Sequence, residues 1–385
     1  MKIKFGLISA DSHAQLDRHA FTSRMSKARW GNRIPQVVEV KDDRSGRPVE
    51  RWTINGKISG YTVSNCPAVM NDRKVKYYPQ RWEEVPAKVY EPLERAKALD
   101  EDGVDGEVLF PNTPVQNFGF LQGKDSEFEL ACIQAYNDAL AEWREKSARF
   151  VPLALIPYLG GIEATVAEVE RAVKIGHCGI ALLCEPSTLI SSVPHINNPC
   201  WYPLWELCQA ADIPVHIHES GGLASAITFP RWDGFTPNQA HSALTVPTGA
   251  FPAEFIPNLI FSGILERFPR LKWVSAETGL GWVNYVLEGC DHEWERRSLW
   301  KHGVSTRPSE LFRRQIYVNF WFEKTGIAQR DKISPDNIMW ESDYPHTAST
   351  YPESWKIIEE TLQDVSAEEK QKILCDNAKR VYHLE

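Results

Sequence analysis

Short apolar runs rich in β-formers recur along the chain, and stretches with a 3.6-residue apolar rhythm separate most of them. The runs are KFGLIS (4–9), DGEVLF (105–110), FVPLALI (150–156), CGIALLC (178–184), IPVHIH (213–218), RLKWVSAE (270–277), QIYVNF (315–320) and NIMWES (337–342). Such runs read as buried strands. Between them, EPLERAKALDED, SEFELACIQAYNDALAEWREKSA, IEATVAEVERAVKIG, WYPLWELCQAAD and GWVNYVLEGCDHEWERRSL carry helical periodicity, and Asn198-Pro199 before the fourth is a helix-start signal. Eight strands alternating with helices predict an α/β fold, a closed (β/α)8 TIM-type barrel. A doubly wound open sheet is the competitor. No G-x-G-x-x-G follows the first run, which weakens the nucleotide-binding form of that alternative.

The pattern predicts one domain over residues 1–385, interrupted twice. Residues 14–88 form an insertion after the first strand. They include VVEVKDDRSGRPVERWTINGK, a polar β-hairpin turning at Ser45-Gly46. Residues 219–250 form a long loop after the fifth strand, with Gly221, Gly222, Gly234 and Gly249. In a barrel, long loops at the carboxyl ends of strands build the site. The final stretch is a polar helical tail opening on the capping signature Ser366-x-x-Glu369.

The strand ends share one residue chemistry. The first run leads to Asp11 and His13, two apart and so on one side of an extended chain. The fifth ends on His216 and His218, the sixth on Glu277, and the eighth leads to Asp343 and then His346. Each residue alone has an ordinary reading. Asp11 caps a turn, a histidine hydrogen-bonds in a wall, Glu277 pairs with a cation, and Asp343 caps the next helix. Together, imidazoles and carboxylates at one end of four parallel strands are the ligand set used for zinc, manganese or iron. Of the two histidines on the fifth strand, His218 lies nearer the mouth and is the expected ligand. His216 sits deeper, as support or as a further ligand.

Composition narrows the field. The chain has 385 residues, 43% hydrophobic and 24% charged, with a net charge of −8, so it has no electrostatic case for binding nucleic acid or an anionic membrane. Eight cysteines include no C-x-x-C pair and read as buried thiols in a reducing compartment. The start lacks a targeting h-region and no stretch is apolar enough to span a bilayer, so a cytoplasmic protein is expected. No G-x-S-x-G marks a serine nucleophile. The fourteen tryptophans point to aromatic walls or interfaces.

The segments ISADSH, RAKALDEDGVDGEVLFP, AYNDALAEW, IPVHIH, FPRLKWVSAETGLGW and MWESDYPH are similar to those of the amidohydrolase superfamily. More narrowly, they resemble the amidohydrolase-related group that contains aminocarboxymuconate-semialdehyde decarboxylase. The resemblance runs over nearly the whole chain. It implies a metal-bearing barrel whose ligands fall here on Asp11, His13, His218 and Asp343. Relatives commonly place a histidine at the end of strand six, where this chain has Glu277.

The reaction expected from these features is hydrolysis of a small organic substrate, aromatic or carboxylated, by a metal-activated water. Asp343 takes the proton from that water, and Glu277 orients it or joins the metal. Two alternatives stand on the same barrel: non-oxidative decarboxylation, and oxygenation at a dinuclear iron or manganese site. A non-catalytic subunit that keeps the barrel is a further class. The expected cofactor is a divalent metal, zinc first, with manganese or iron as alternatives, as one or two ions. His216, His241, Trp282, Trp321, Tyr344 and His346 are candidate substrate contacts. The expected partner is a small molecule, in a dimer or larger oligomer, with a related subunit as one form of it.

Overall fold

In a computed structural model, the structure describes residues 1–42, 46–62, 79–116, 119–183, 186–218, 239, 242–243, 246 and 251–384. Eleven strands occur among them: β1 (Ile8–Ala14), β2 (Gln36–Lys41), β3 (Pro48–Ile54), β4 (Lys57–Tyr61), β5 (Gly106–Pro111), β6 (Phe150–Leu155), β7 (Gly179–Ala181), β8 (Val215–His218), β9 (Trp273–Ala276), β10 (Ile316–Phe320) and β11 (Ile338–Trp340). Eight of them form one sheet in the order β1-β5-β6-β7-β8-β9-β10-β11, with helices between consecutive strands. This is the expected (β/α)8 TIM-type barrel, and every apolar run named above supplies one of its strands.

The first strand differs from its expected limits. It begins at Ile8 and runs through Asp11 and His13 to Ala14, with all seven residues buried. The polar residues do not end the strand. They are part of it, because its carboxyl end pairs with the chain that follows β11. His13 N–H donates to Tyr344 O at 2.7 Å and Asp343 N–H to Asp11 O at 3.0 Å. Ser12, on the opposite side of the strand from Asp11 and His13, shares a 3.1 Å hydrogen bond with Ser342 Oγ.

Contacts divide the chain into two compact units. One comprises Met1–Leu7, Asp11–Cys178 and Ser342–Ser354. It holds β5 and β6, and the helix Ser126–Lys146 packs Phe128, Cys132, Tyr136 and Leu140 inward. At the amino end of β5 the Asp105 carboxylate accepts the N–H groups of Lys4, Phe5, Gly6 and Leu7 at 2.7–3.1 Å. The hairpin region is also here. β2 and β3 pair antiparallel, and Ser45, the expected turn, lies outside the described residues. A second turn at Asn55-Gly56, with both φ positive (54° and 74°), adds β4 as a third strand. Asn-Gly favours this hairpin turn because both residues tolerate the left-handed backbone.

Glu129 ties a loop of this unit to the long helix. Its Oε1 and Oε2 accept Tyr158 N–H at 2.7 Å and Leu159 N–H at 2.8 Å, just past β6. Burial pushes its carboxyl up to about 7, outweighing the two N–H groups that favour the anion. The folded chain thus keeps this proton to higher pH than the unfolded chain, whose carboxyl titrates near 4.5. The resulting stabilisation is full below pH 4.5 and is lost as pH rises through 7. At about 1.4 kcal/mol per pH unit it amounts to about 3 kcal/mol. Glu129→Gln cannot ionise, so its stability deficit relative to the parent should shrink between pH 5 and pH 8 in urea titrations. A deficit that stays constant would contradict the assignment.

The second unit comprises Ile8–Ala10, Gly179–Glu341 and Trp355–Glu385 and carries β7–β11. Its strands are parallel, with registers Val215↔Trp273, Val318↔Ser275 and Phe320↔Trp340. Trp205, Trp273 and Phe255 fill the space behind β9. Ser366 caps the tail helix as expected, its Oγ accepting Glu369 N–H at 3.2 Å. Among the described residues no helix is long and apolar enough to cross a membrane. The loop 219–250 lies almost wholly outside the described residues.

Candidate metal centre

The first unit gathers four donors at the carboxyl end of β1. The strand's two-residue period puts Asp11 and His13 on one side. The backbone pairing of β1 with Ser342–Tyr344 brings Asp343 beside them. His13 Nε2 lies 3.6 Å from Asp11 Oδ1 and 3.4 Å from Asp343 Oδ1. His13 Nδ1 is 2.8 Å from Pro111 O. A carbonyl only accepts, so Nδ1 carries the proton and Nε2 faces the two carboxylates. A neutral ring would aim a lone pair at them, an arrangement that calls for a proton or a cation between.

His346 completes this group. Its Nδ1 is 3.0 Å from Asp343 Oδ1, and its ring stacks on His13 with centroids 3.9 Å apart. Its Nε2 is buried and makes no hydrogen bond. Both carboxylate oxygens of Asp343 are likewise buried, with no hydrogen bond of good geometry. Burial alone would raise the Asp343 carboxyl, but the imidazoles of His346 and His13 outweigh it and hold the group well below the usual carboxylate range. Asp343 also adopts φ 52°, a backbone uncommon outside glycine and concentrated at functional sites.

A buried ion pair braces this group. Arg95, on the helix Pro92–Asp102, makes two bonds to Glu107 of β5, at 2.8 and 2.9 Å, and both side chains are 0% exposed. Its third bond, 3.1 Å to Tyr344 O, holds the carbonyl that also receives His13 N–H. The guanidinium lies 3.9 Å over the Tyr344 ring, which packs edge-on against Tyr351. Tyr344, expected in a substrate wall, thus takes part in the bracing.

The second unit contributes a smaller group. Register sets His218 of β8 opposite Ala276 of β9, so the next residue, Glu277, meets it at the strand ends. His218 Nε2 is 3.3 Å from Glu277 Oε2. Glu277 has φ 52°, and its N–H donates to Glu341 Oε2 at 3.0 Å. Glu341 is wholly buried, just past β11, and sequence reasoning gave it no role. The signal was its alternation with Asp343 beyond the strand.

His216, expected as a deeper ligand or substrate contact, lies in the interior of the fold. It is fully buried, Nδ1 at 3.0 Å from Ile180 O and Nε2 at 2.8 Å from the Tyr382 hydroxyl, so both nitrogens are engaged within the fold. Burial drives its pKa down to about 3, and it stays neutral. Trp282 donates to Thr278 O at 3.1 Å, and Trp321 packs edge-on against the exposed Phe322. His241 lies outside the described residues. His346, expected against the substrate, instead joins the donors around Asp343.

The family described as Amidohydrolase matches residues 13–384. The chain is 27% identical over 322 residues to a gamma-resorcylate decarboxylase of Polaromonas sp. strain JS666, covering 79% of this chain and 91% of that one. It is 23% identical to a 2-amino-3-carboxymuconate-6-semialdehyde decarboxylase of Dictyostelium discoideum, covering 86% and 85%. Among solved structures, an amidohydrolase from Mycobacterium avium subsp. paratuberculosis K-10 is similar with TM-score 0.75 at 17% identity, over 99% of this chain and 98% of that one. A dihydroxybenzoic acid decarboxylase from Polaromonas sp. JS666, with bound manganese and 2-nitroresorcinol, is similar with TM-score 0.60 at 23% identity, over 79% and 89%. A family match over nearly the whole chain, together with decarboxylase relatives that cover 79% and 86% of it, makes this chain a metal-dependent enzyme of the amidohydrolase family, in the group of the aminocarboxymuconate-semialdehyde decarboxylases.

Proposed function

We propose that the protein catalyses non-oxidative decarboxylation of a small aromatic or muconate-like carboxylic acid at a divalent-metal centre. The observation that carries this reading is the kinship with decarboxylases over 79% and 86% of the chain. It displaces hydrolysis, the first expectation from sequence, in favour of the alternative. The donor chemistry supports a metal. Asp11, His13, Asp343 and His346 gather nitrogen and oxygen donors in one unit, and His218 with Glu277 does so in the other. The carboxylates among these donors suit manganese and the imidazoles suit zinc, and manganese is the metal in the decarboxylase structure from Polaromonas.

When bound, the cation would hold the oxygens of a chelating acid and draw charge from them. The chain's residues do the rest. Decarboxylation breaks the bond between the ring carbon and the carboxyl carbon, and its electron pair stays on the ring carbon as carbon dioxide leaves. That carbon then needs a proton. Asp343 with His346 and His13 forms a buried carboxyl–imidazole group able to hold a proton and deliver it. Glu277, 3.3 Å from His218 Nε2, adds negative charge where an anionic substrate would sit, and a bound cation would offset that charge.

The test is direct. Purified protein is stripped with chelator, reloaded with Mn²⁺ or Zn²⁺, and offered hydroxybenzoates and muconate-like acids under nitrogen. Release of carbon dioxide without oxygen, lost on chelation and restored by metal, is expected. Hydrolysis of esters, amides or lactones without carbon dioxide release would favour the second reading, which Glu277 in place of the commoner histidine keeps in view. Two irons per chain with oxygen uptake would favour oxygenation. Glu277→Gln should weaken Mn²⁺ binding by about 100-fold if Glu277 is a ligand; unchanged affinity would remove it from the donor set. Among the described residues Cys132, Cys178, Cys200, Cys208, Cys290 and Cys375 are free thiols, which fits the cytoplasm.

A further inference from the structure

The loop after β9 opens with Glu277 and is gripped at two points by carboxylates. At its first residue, Glu341 accepts the Glu277 N–H. Three residues on, Glu323 Oε1 accepts Leu280 N–H at 2.9 Å. The other oxygen of Glu323 accepts the N–H groups of Trp321 and Phe322, both at 3.3 Å, in the loop after β10. One carboxylate thus clasps the loops of two adjacent strands. The residue beside Leu280 is shaped to admit it. Gly279 has φ 64°, and a Cβ there would lie 2.9 Å from Glu323 Oε1, so any side chain would be both strained and in the way. Glu277 itself is in a left-handed backbone that the surrounding bonds must maintain.

We propose that Glu323 is a positioning residue: its clasp on Leu280, Trp321 and Phe322 holds the loop that sets the Glu277 carboxylate. The inference rests on reading Glu277 as a metal donor. Glu323 is not among the clustered donors and acts through the 277–280 backbone. Residues that orient metal ligands typically cost about 10–100-fold in metal affinity when removed.

The experiment compares the parent with Glu323→Ala, Glu323→Gln, Gly279→Ala and Glu277→Gln. Two quantities are read: amide hydrogen exchange over Thr278–Trp282, and Mn²⁺ affinity by chelator competition. Glu323→Ala should speed exchange of the Leu280 amide about tenfold or more and weaken Mn²⁺ binding about 10–100-fold. Glu323→Gln keeps one accepting oxygen and should recover part of both. Gly279→Ala, which displaces the carboxylate without removing it, should follow Glu323→Ala. Faster exchange with unchanged Mn²⁺ affinity would overturn the proposal, because the clasp would then be structural only. Unchanged exchange would overturn it as well. If Glu277→Gln itself leaves Mn²⁺ affinity intact, the donor role of Glu277 falls and the proposal falls with it, and this failure is told apart by the exchange data on the clasp.

Discussion

Asp343→Asn is expected to lower kcat for decarboxylation by about 10³-fold, with the protein still folded. Asparagine keeps the size of the side chain but cannot take up a proton or supply the negative charge that faces His346 and His13. Its amide would also set an N–H₂ or a neutral oxygen 3.0 Å from His346 Nδ1, where a carboxylate stands now. Neither Asp343 oxygen makes a hydrogen bond of good geometry, so few intramolecular bonds are lost. Metal content should fall too, because one charged donor is gone. Measured kcat against metal occupancy separates the effects. A variant refilled with metal at high Mn²⁺ that regains full turnover would show that Asp343 supplies no proton.

The largest loss of stability is expected at Glu107. Glu107→Ala leaves the Arg95 guanidinium wholly buried without its partner, at a cost of about 3–5 kcal/mol. Urea unfolding should report it directly. Replacing the pair together, as Arg95→Met with Glu107→Leu, should return most of that stability, since apolar residues of similar volume replace buried ion pairs at little or no net cost. Activity should not return with it. The Tyr344 carbonyl would lack its 3.1 Å bond from Arg95, and that carbonyl anchors His13 from one side and precedes the His346 turn. Recovery of both stability and turnover in the double variant would mean that the ion pair serves folding alone.

Most of the barrel was readable because its strands are buried on both faces and form continuous apolar runs. The runs at 150–156 and 315–320 are clear cases, buried throughout as β6 and β10. The first strand broke the rule. Its second half, Asp11-Ser12-His13, is as buried as its apolar first half, because serine–serine and backbone bonds to 342–344 replace apolar packing. An apolar pattern has no means of registering such a strand. Likewise Asn55-Gly56 marked a turn whose strand, β4, went unread between two louder signals.

The donors on strands were legible and those on turns less so. His218 was set apart from His216 by depth alone, and His216 is bonded within the fold to Ile180 O and the Tyr382 hydroxyl. His346 was placed among the substrate contacts because its stacking on His13 follows from a chain turn after Asp343, which residue spacing does not reveal. Arg95 sat in a matching segment without a role. Its partner Glu107 lies across a helix–strand corner, beyond any local rule for pairing charges.

Asp343 and Glu277 share the same left-handed backbone, each at φ 52°. That geometry disfavours β-branched replacements and is tolerated best by glycine, asparagine and aspartate. Lineages drifting at these two positions would therefore travel a narrow corridor of polar side chains that are not β-branched, such as aspartate, glutamate, asparagine and histidine. Loss or exchange of a coordinating atom is the cheap step there and added bulk the costly one, so new chemistries on this scaffold should arise first by swapping ligands.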